Sequence, residues 1–317
     1  MSMGAHIVPV PLTVSSALAS WRPDVPVLVV AVALGIGYWR GARRGSVAPS
    51  RATAFYGGLV LWAATAVSFL GVYADTLFWV RSLQFTVLLF VVAFLLALGT
   101  PFTVLRGALG ETGKARFDAA LSSPPAQFLT YPVTTALAIL ALPWLVFKTP
   151  WYTALLESRP VDEATGIAVV LIGFCYFYSR LQADPTPKKY PQLITLLLTV
   201  TEVIGDGALG LVLAMGDIVA SDHYGARAWG PSLRIDQVVG AGILWILGDV
   251  LGVPFIVAVM RALRAEERLV EKRTDETLDQ IEAAQTRQTE PSEDDGPKAV
   301  SGLWWENDPQ LRERFRR

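Results

Sequence analysis

Residues 235–264 form an apolar segment long enough to cross a bilayer, yet it opens on Asp236 and Gln237, holds Asp249 near its middle and closes on Arg261 and Arg264. A carboxylate in hydrocarbon is costly, so Asp249 has to face protein or water rather than lipid. The segment therefore reads as one wall of an intramembrane polar site, and other spans must supply the remaining walls. Candidates lie upstream, in apolar blocks at 25–39, 54–73, 77–98, 128–147, 164–178 and 193–215 separated by short charged strips. With 52% hydrophobic and only 17% charged residues, the 317-residue chain is expected to be an all-α polytopic membrane bundle of about seven transmembrane helices.

Charge sets the expected orientation. Arg40, Arg43, Arg44 and Arg51 follow the first block, Arg106, Lys114 and Arg116 the third, and Arg180, Lys188 and Lys189 the fifth. Basic loops stay in the cytoplasm, which puts the N-terminus outside and the C-terminus inside. No secretory cleavage pattern opens the sequence, so the first span is expected to act as an uncleaved anchor in the plasma membrane, with membrane lipid as its surroundings. A net charge of −1, with basic residues gathered in particular loops and acidic ones in the tail, makes nucleic acid an unlikely class of partner.

Two domains are expected. Residues 1–264 hold the seven spans, and residues 265–317 form a cytoplasmic helix, a disordered linker at 290–298 and a terminal peptide. Trp304, Trp305, Leu311 and Phe315 give that peptide the aromatic character of contact surfaces, which suits docking to a partner or to the bilayer. The plain alternative is a solvated tail.

On this topology several polar residues fall in the outer half of the membrane. Arg81 and Gln84 lie in the first turns of the third block, Glu202 and Asp206 inside the sixth, and Asp236 and Gln237 at the start of the seventh. Glu202 and Asp206 are four apart and share a helix face. A buried guanidinium is always charged and needs carboxylates, so Arg81 is expected to pair with Asp206 or Asp236. Such a polar core is either a structural ion pair or a path for a cation or copper facing the extracytoplasmic side. Asp249 lies deeper. Gly205, Gly210, Gly242, Gly248 and Gly252 are small positions that let spans approach closely.

The metal-ligand inventory is thin. Cys175 is the single cysteine, and His6 and His223 are the only histidines. Met3, His6 and His223 would all lie on the outer side and compose a sparse Cu(I) site of thioether and imidazole donors. Cys175 reads as a small buried hydrophobe. There is no nucleophile with a base partner, no phosphate loop and no dinucleotide fingerprint, so no enzymatic activity is expected.

Several runs together resemble the CtaG family of cytochrome c oxidase assembly proteins, in its actinobacterial form. They are Tyr73-Ala74-Asp75 with Leu77-Phe78, Gln84, the run from Leu95 to Pro101, Asp184-Pro185, Asp236-Gln237 with Gly240, Gly242 and Trp245, and the tail Leu303-Trp304-Trp305-Glu306 with Asp308-Pro309. The resemblance implies a seven-span plasma-membrane protein that assists copper delivery to the catalytic subunit of a haem-copper oxidase, with oxidase subunits as partners. The chain departs from the family pattern at Arg81, Phe85 and Asp206, where histidines are expected. Imidazole ligation of copper is therefore not expected of this histidine-poor member. The reading from a different class is a diverged membrane scaffold, or a small-cation transport or accessory subunit, built on the arginine and carboxylate cluster.

Overall fold

The computed structural model describes residues 9–45, 47–181, 184 and 192–247, with single positions and short runs between 249 and 280. Met3, His6 and the tail residues Trp304, Trp305, Leu311 and Phe315 lie outside the described residues. Contacts divide the chain into Met1–Leu263 and Arg264–Arg317. In the second unit the described residues 274–280 are helical and exposed.

Every regular element among the described residues is helical. In the first unit α1 (Val14–Ala19) is followed by α2 (Val25–Ala42), α3 (Pro49–Val67), α4 (Phe69–Tyr73) and α5 (Phe78–Thr86). The last of these continues through a π-helical stretch, Val87–Val92, into α6 (Ala93–Leu98). Next come α7 (Pro101–Ala108), α8 (Glu111–Leu121), α9 (Pro124–Leu129), α10 (Pro132–Lys148), α11 (Trp151–Glu157), α12 (Arg159–Leu181) and α13 (Gln192–Met215). The series ends with α14 (Ser221–Tyr224) and α15 (Leu233–Gly242), which runs into a second π-helical stretch, Ile243–Leu247.

Among the described residues three helical runs are long and apolar enough to cross a membrane: Val25–Ala42, Phe78–Ala108 and Arg159–Leu181. The pair Pro132–Lys148 and Trp151–Glu157, bent by 67°, makes a fourth if it counts as one span. The block expected at 54–73 is two helices, because Ser68 leaves the helical conformation and its hydroxyl accepts from the Leu70 amide at the start of α4. The connector expected after the fourth block is itself helical, as α11 and the first turn of α12.

Long helices alternate between two ends of the unit. At the head, where α2 begins, the Arg22 amide donates to Val67 O (2.9 Å) and the Arg22 guanidinium to Gly71 O (3.2 Å). At the foot, where α2 finishes, the Tyr38 hydroxyl donates to Gly99 O (2.9 Å) and Arg44 to Ala108 O (3.3 Å). Between them lies the larger of two apolar clusters, with an aromatic nest near the head, while Tyr73, Ala74, Leu77 and Val80 form the smaller one. In the nest Phe78, Phe85, Phe147 and Tyr152 surround one another at ring distances of 5.2 to 5.9 Å. Close helix approach is bought by missing side chains: a Cβ on Gly173 would strike Leu89 O, and one on Gly240 would strike the Phe78 ring.

Candidate functional site

Among the described helices that start without a side-chain cap of their own, α5 and α7 each receive a carboxylate from elsewhere in the chain. Leu77, at the N-cap of α5, has no side-chain acceptor. Asp236 of α15 takes its place, accepting from the amides of Phe78 (3.1 Å) and Trp79 (2.9 Å). At the foot Thr100, in the left-handed region at φ 48°, precedes α7 and makes no cap hydrogen bond. Asp184 accepts there from the amides of Phe102 (2.9 Å) and Thr103 (2.6 Å) and from the Thr103 hydroxyl. Helix starts expose unpaired N–H groups and a partial positive charge, so a buried carboxylate is stable at that position. Burial pushes the Asp184 carboxyl above its ordinary value, against the opposing effect of the Thr103 and Phe102 hydrogen bonds.

The Asp236-Gln237 run is thus an instrument of helix docking. Asp236, 1% exposed, also accepts from Arg227 at 2.7 Å, and that guanidinium further donates to Thr76 O and Pro231 O. Gln237 clamps the turn after α13: its carbonyl accepts from the Val219 amide (2.7 Å), and its amide donates to Leu213 O (2.7 Å) and Asp217 O (2.9 Å). Gly240 seats Phe78 and lies beside Ser82, while Trp245 fills the space left by Gly207 and Gly210.

Arg81 is the centre of a second cluster at the head. Its partners are Asp162 of α12 (2.6 Å) and Asp75, with Gln84 accepting at 3.2 Å. Gln84 in turn donates to Thr65 O (3.1 Å), which ties α5 to α3. Asp75 also lies 3.9 Å from Arg22. Over this cluster opens a cavity of about 810 Å3 that takes in Arg22, Asp75, Asp162, Asp222, His223 and Arg227. A smaller pocket of about 60 Å3 continues beneath it, past Arg81 and Gln84 to Phe85 and Leu88. The His223 ring binds Asp75 O through Nε2 at 2.8 Å. Beside it the hydroxyls of Tyr152 and Tyr224 share a hydrogen bond of 2.6 Å, and burial raises the Tyr224 hydroxyl above its usual value.

The polar residues expected to form one core are therefore divided among three places. Arg81 does not pair with Asp206 or Asp236: Asp236 is held by two amides and Arg227, and Asp206 is too deep. At 1.5 Å per residue, Arg81 sits about 5 Å below the start of α5, whereas Asp206 and Glu202 sit about 14 Å and about 20 Å below the head end of α13. Glu202 belongs to a third cluster. It accepts from Arg180 (2.6 Å) and from the Tyr176 hydroxyl (2.6 Å), and the guanidinium lies 3.9 Å from the centre of the Tyr176 ring. The Arg180 side chain is wholly buried, so this arginine is not the loop residue that counting basic strips makes of it.

The sequence reading also passed over Asp162, Arg180 and Arg227 as partners. Arg227 left a usable signal: it stands nine residues before Asp236, across a turn marked by Gly230, Pro231 and Ser232, so the two ends can meet. Arg180 left none, because a basic residue at the end of an apolar block ordinarily reaches toward the membrane surface.

Among the described residues there is no group of three His, Cys, Asp or Glu side chains placed to hold a metal ion. His223 is engaged with Asp75 O, and the other two members of the expected site, Met3 and His6, lie outside the described residues.

Comparison with known proteins bears on the same residues. The family model described as cytochrome c oxidase caa3 assembly factor matches residues 32–266. The chain is similar to an uncharacterized protein of Mycobacterium bovis, 28% identical over 287 residues, which is 86% of this chain and 43% of the relative. It is also similar to an uncharacterized protein of Mycobacterium leprae, 26% identical over 274 residues, or 82% of this chain and 42% of the relative. The chain thus spans less than half the length of these curated relatives. No solved structure matches it.

Proposed function

We propose that this chain, which belongs to the cytochrome c oxidase caa3 assembly factor family, is a multi-pass protein of the plasma membrane that assists biogenesis of a haem-copper oxidase by docking an oxidase subunit rather than by carrying copper in its bundle. The match over residues 32–266 carries this reading. It takes in both carboxylate caps, the Arg81 cluster and the part of the head cavity's lining from Val72 onward. In this arrangement seven spans cross the membrane, the basic loops lie in the cytoplasm and the head faces the extracytoplasmic side.

The chemistry of the head supports docking over metal transfer. Several of its charged groups pair with one another: Arg81 with Asp75 and Asp162, Arg227 with Asp236, Arg159 with Glu163 at 2.9 Å. Carboxylates committed to guanidinium groups make poor copper ligands, and Cu(I) prefers sulfur and imidazole. These pairs tie α5, α12 and α15 together around a cavity of about 810 Å3, a concave surface that side chains of another protein can enter.

The test is affinity purification of the full-length chain from native membranes, with quantitation of oxidase subunits and copper in the same eluate. Recovery of oxidase subunits with far less than one copper per chain supports the proposal. One tightly held Cu(I) per chain, lost on substitution of His6 and His223, would restore a chaperone role. Recovery of neither subunits nor copper would sink both.

A further inference from the structure

Residues 25–74 hold no Asp or Glu, and their only charged side chains are Arg40, Arg43, Arg44 and Arg51, gathered where α2 ends and α3 begins. All four are exposed at the foot, and among the described residues none of them makes an ion pair. The described carboxylates near that end are committed elsewhere: Asp118 to Arg106 (2.7 Å), Glu111 to Lys114 (2.8 Å) and Asp184 to the amides of α7. Arg44 and Arg51 turn toward α7, donating to Ala108 O (3.3 Å) and to the Thr100 hydroxyl (3.5 Å). The guanidinium groups of Arg40 and Arg43 donate to no oxygen among the described residues.

Those two stand at the end of an outward-facing stripe. Val25, Val29, Val32 and Ile36 are exposed and follow one another at steps of three or four residues, which puts them on one face of α2. Trp39 and Arg43 continue the same steps, and Arg40 lies alongside, three residues before Arg43. From Val25 to Arg43 the helix rises about 27 Å, close to the ~30 Å hydrocarbon core of a bilayer. With the stripe against acyl chains, Trp39 therefore lies at the interface and both guanidinium groups reach the depth of the lipid phosphates. The Arg43 guanidinium lies over the Trp39 ring, its Cζ 3.7 Å from the ring centre. Stacking occupies the flat face of the guanidinium and leaves its N–H edge free to grip a phosphate with two parallel hydrogen bonds.

We propose that Arg40 and Arg43, the latter fixed by Trp39, clamp the phosphate of an anionic phospholipid whose acyl chains run along Ile36, Val32 and Val29. The apolar stripe leading up to the clamp selects a lipid over a free anion. Four arginines without a protein carboxylate select a headgroup of net negative charge, such as phosphatidylglycerol, over a zwitterionic one whose ammonium they repel. The partial negative charge at the end of α2 also favours arginine there, but it acts only within the last turn and does not distinguish one lipid from another. In the orientation proposed above the lipid belongs to the cytoplasmic leaflet, at the opposite end of the unit from the head cavity.

The experiment is lipid retention by the full-length chain, purified into nanodiscs of equal phosphatidylglycerol and phosphatidylcholine and released into a mass spectrometer that counts the lipids still bound. Phosphatidylglycerol should be retained in preference to phosphatidylcholine, and Arg40→Gln and Arg43→Gln should each lower that preference about fivefold. Arg43→Lys keeps the charge and loses the fork, so its preference should fall between those of the wild type and Arg43→Gln. Arg106→Gln removes a charge from the same end, at a residue paired with Asp118, and should leave the preference unchanged. Both clamp arginines are exposed and unpaired by carboxylates, so their variants should melt with the wild type, and retention is compared at matched unfolding midpoints. A wild type without preference, full preference in the double variant Arg40→Gln, Arg43→Gln or in Arg43→Lys, or an equal loss in Arg106→Gln would overturn the proposal. So would displacement of the lipid by inorganic phosphate at matched ionic strength, which marks a free-anion site. The two nanodisc leaflets are identical and no oxidase subunit is present, so the outcome is independent of orientation and of the docking proposal.

Discussion

Replacing Asp236 by Ala is the sharpest test of the reading that the Asp236-Gln237 run holds helices together. The substitution removes the acceptor of two α5 amides and the partner of Arg227, and neither side chain is more than 4% exposed. Loss of an N-cap costs about 1 kcal/mol. Removing one partner of a buried ion pair costs roughly 3–5 kcal/mol, because the remaining charge is stranded. The two terms overlap, and Arg227 keeps Thr76 O and Pro231 O as acceptors, so the expected net loss is about 3–4 kcal/mol rather than the sum. Asp236→Asn keeps an oxygen for the cap and loses the charge, for an expected cost of about 1.5–3 kcal/mol. Arg227→Met combined with Asp236→Asn should cost less than the two singles added, with a coupling of about 1–3 kcal/mol. The assay is reversible denaturant unfolding in a fixed detergent, followed by tryptophan fluorescence. An Asp236→Ala variant within about 0.5 kcal/mol of the wild type, the range of ordinary surface substitutions, would refute the capping argument.

Arg81→Ala should cost about 2–4 kcal/mol, below the full buried-pair figure because Asp75 and Asp162 are 26% and 29% exposed and water takes over part of the work. The same unfolding assay checks it, and adding Asp162→Asn should recover part of the loss. Asp184→Ala should destabilise by about 1–2 kcal/mol through loss of the α7 cap; its effect should show as faster amide exchange at Phe102 and Thr103 before any change in the head. Gly240→Ala drives a methyl into the Phe78 ring and should cost about 1–3 kcal/mol, with partial rescue by Phe78→Leu in the same melt. His223→Ala removes the hydrogen bond to Asp75 O and the edge contact with the Tyr224 ring, and should cost about 1–2 kcal/mol in that assay.

Much of the architecture was legible in the apolar blocks. Val25–Ala42 and Phe78–Leu98 begin within a residue of the runs read from composition, because uninterrupted apolar stretches have no other stable arrangement in lipid. The breaks were harder. Ser68 divides one run by accepting a local hydrogen bond, and Thr149 and Pro150 turn another through 67°, choices that side-chain hydropathy does not record. The site was legible as a residue list and illegible as a set of pairs. Arg81, Glu202, Asp206 and Asp236 were all placed in one half of the membrane, but pairing depends on depth to within a few ångströms and on the face that each helix turns inward. Arg81 met Asp75 six residues back, in the turn before its own helix, while Asp236 met backbone amides, partners that a search among charged side chains overlooks.

The docking claim at the centre of this account has one direct measurement. The full-length chain and its Asp236→Asn variant, each crosslinked in native membranes and purified, should both be weighed against oxidase subunits and copper in the eluate. The account expects oxidase subunits with the wild type, fewer with the variant in proportion to its folded fraction, and little copper with either. A wild-type chain that carries one copper per molecule and no oxidase subunit would contradict it.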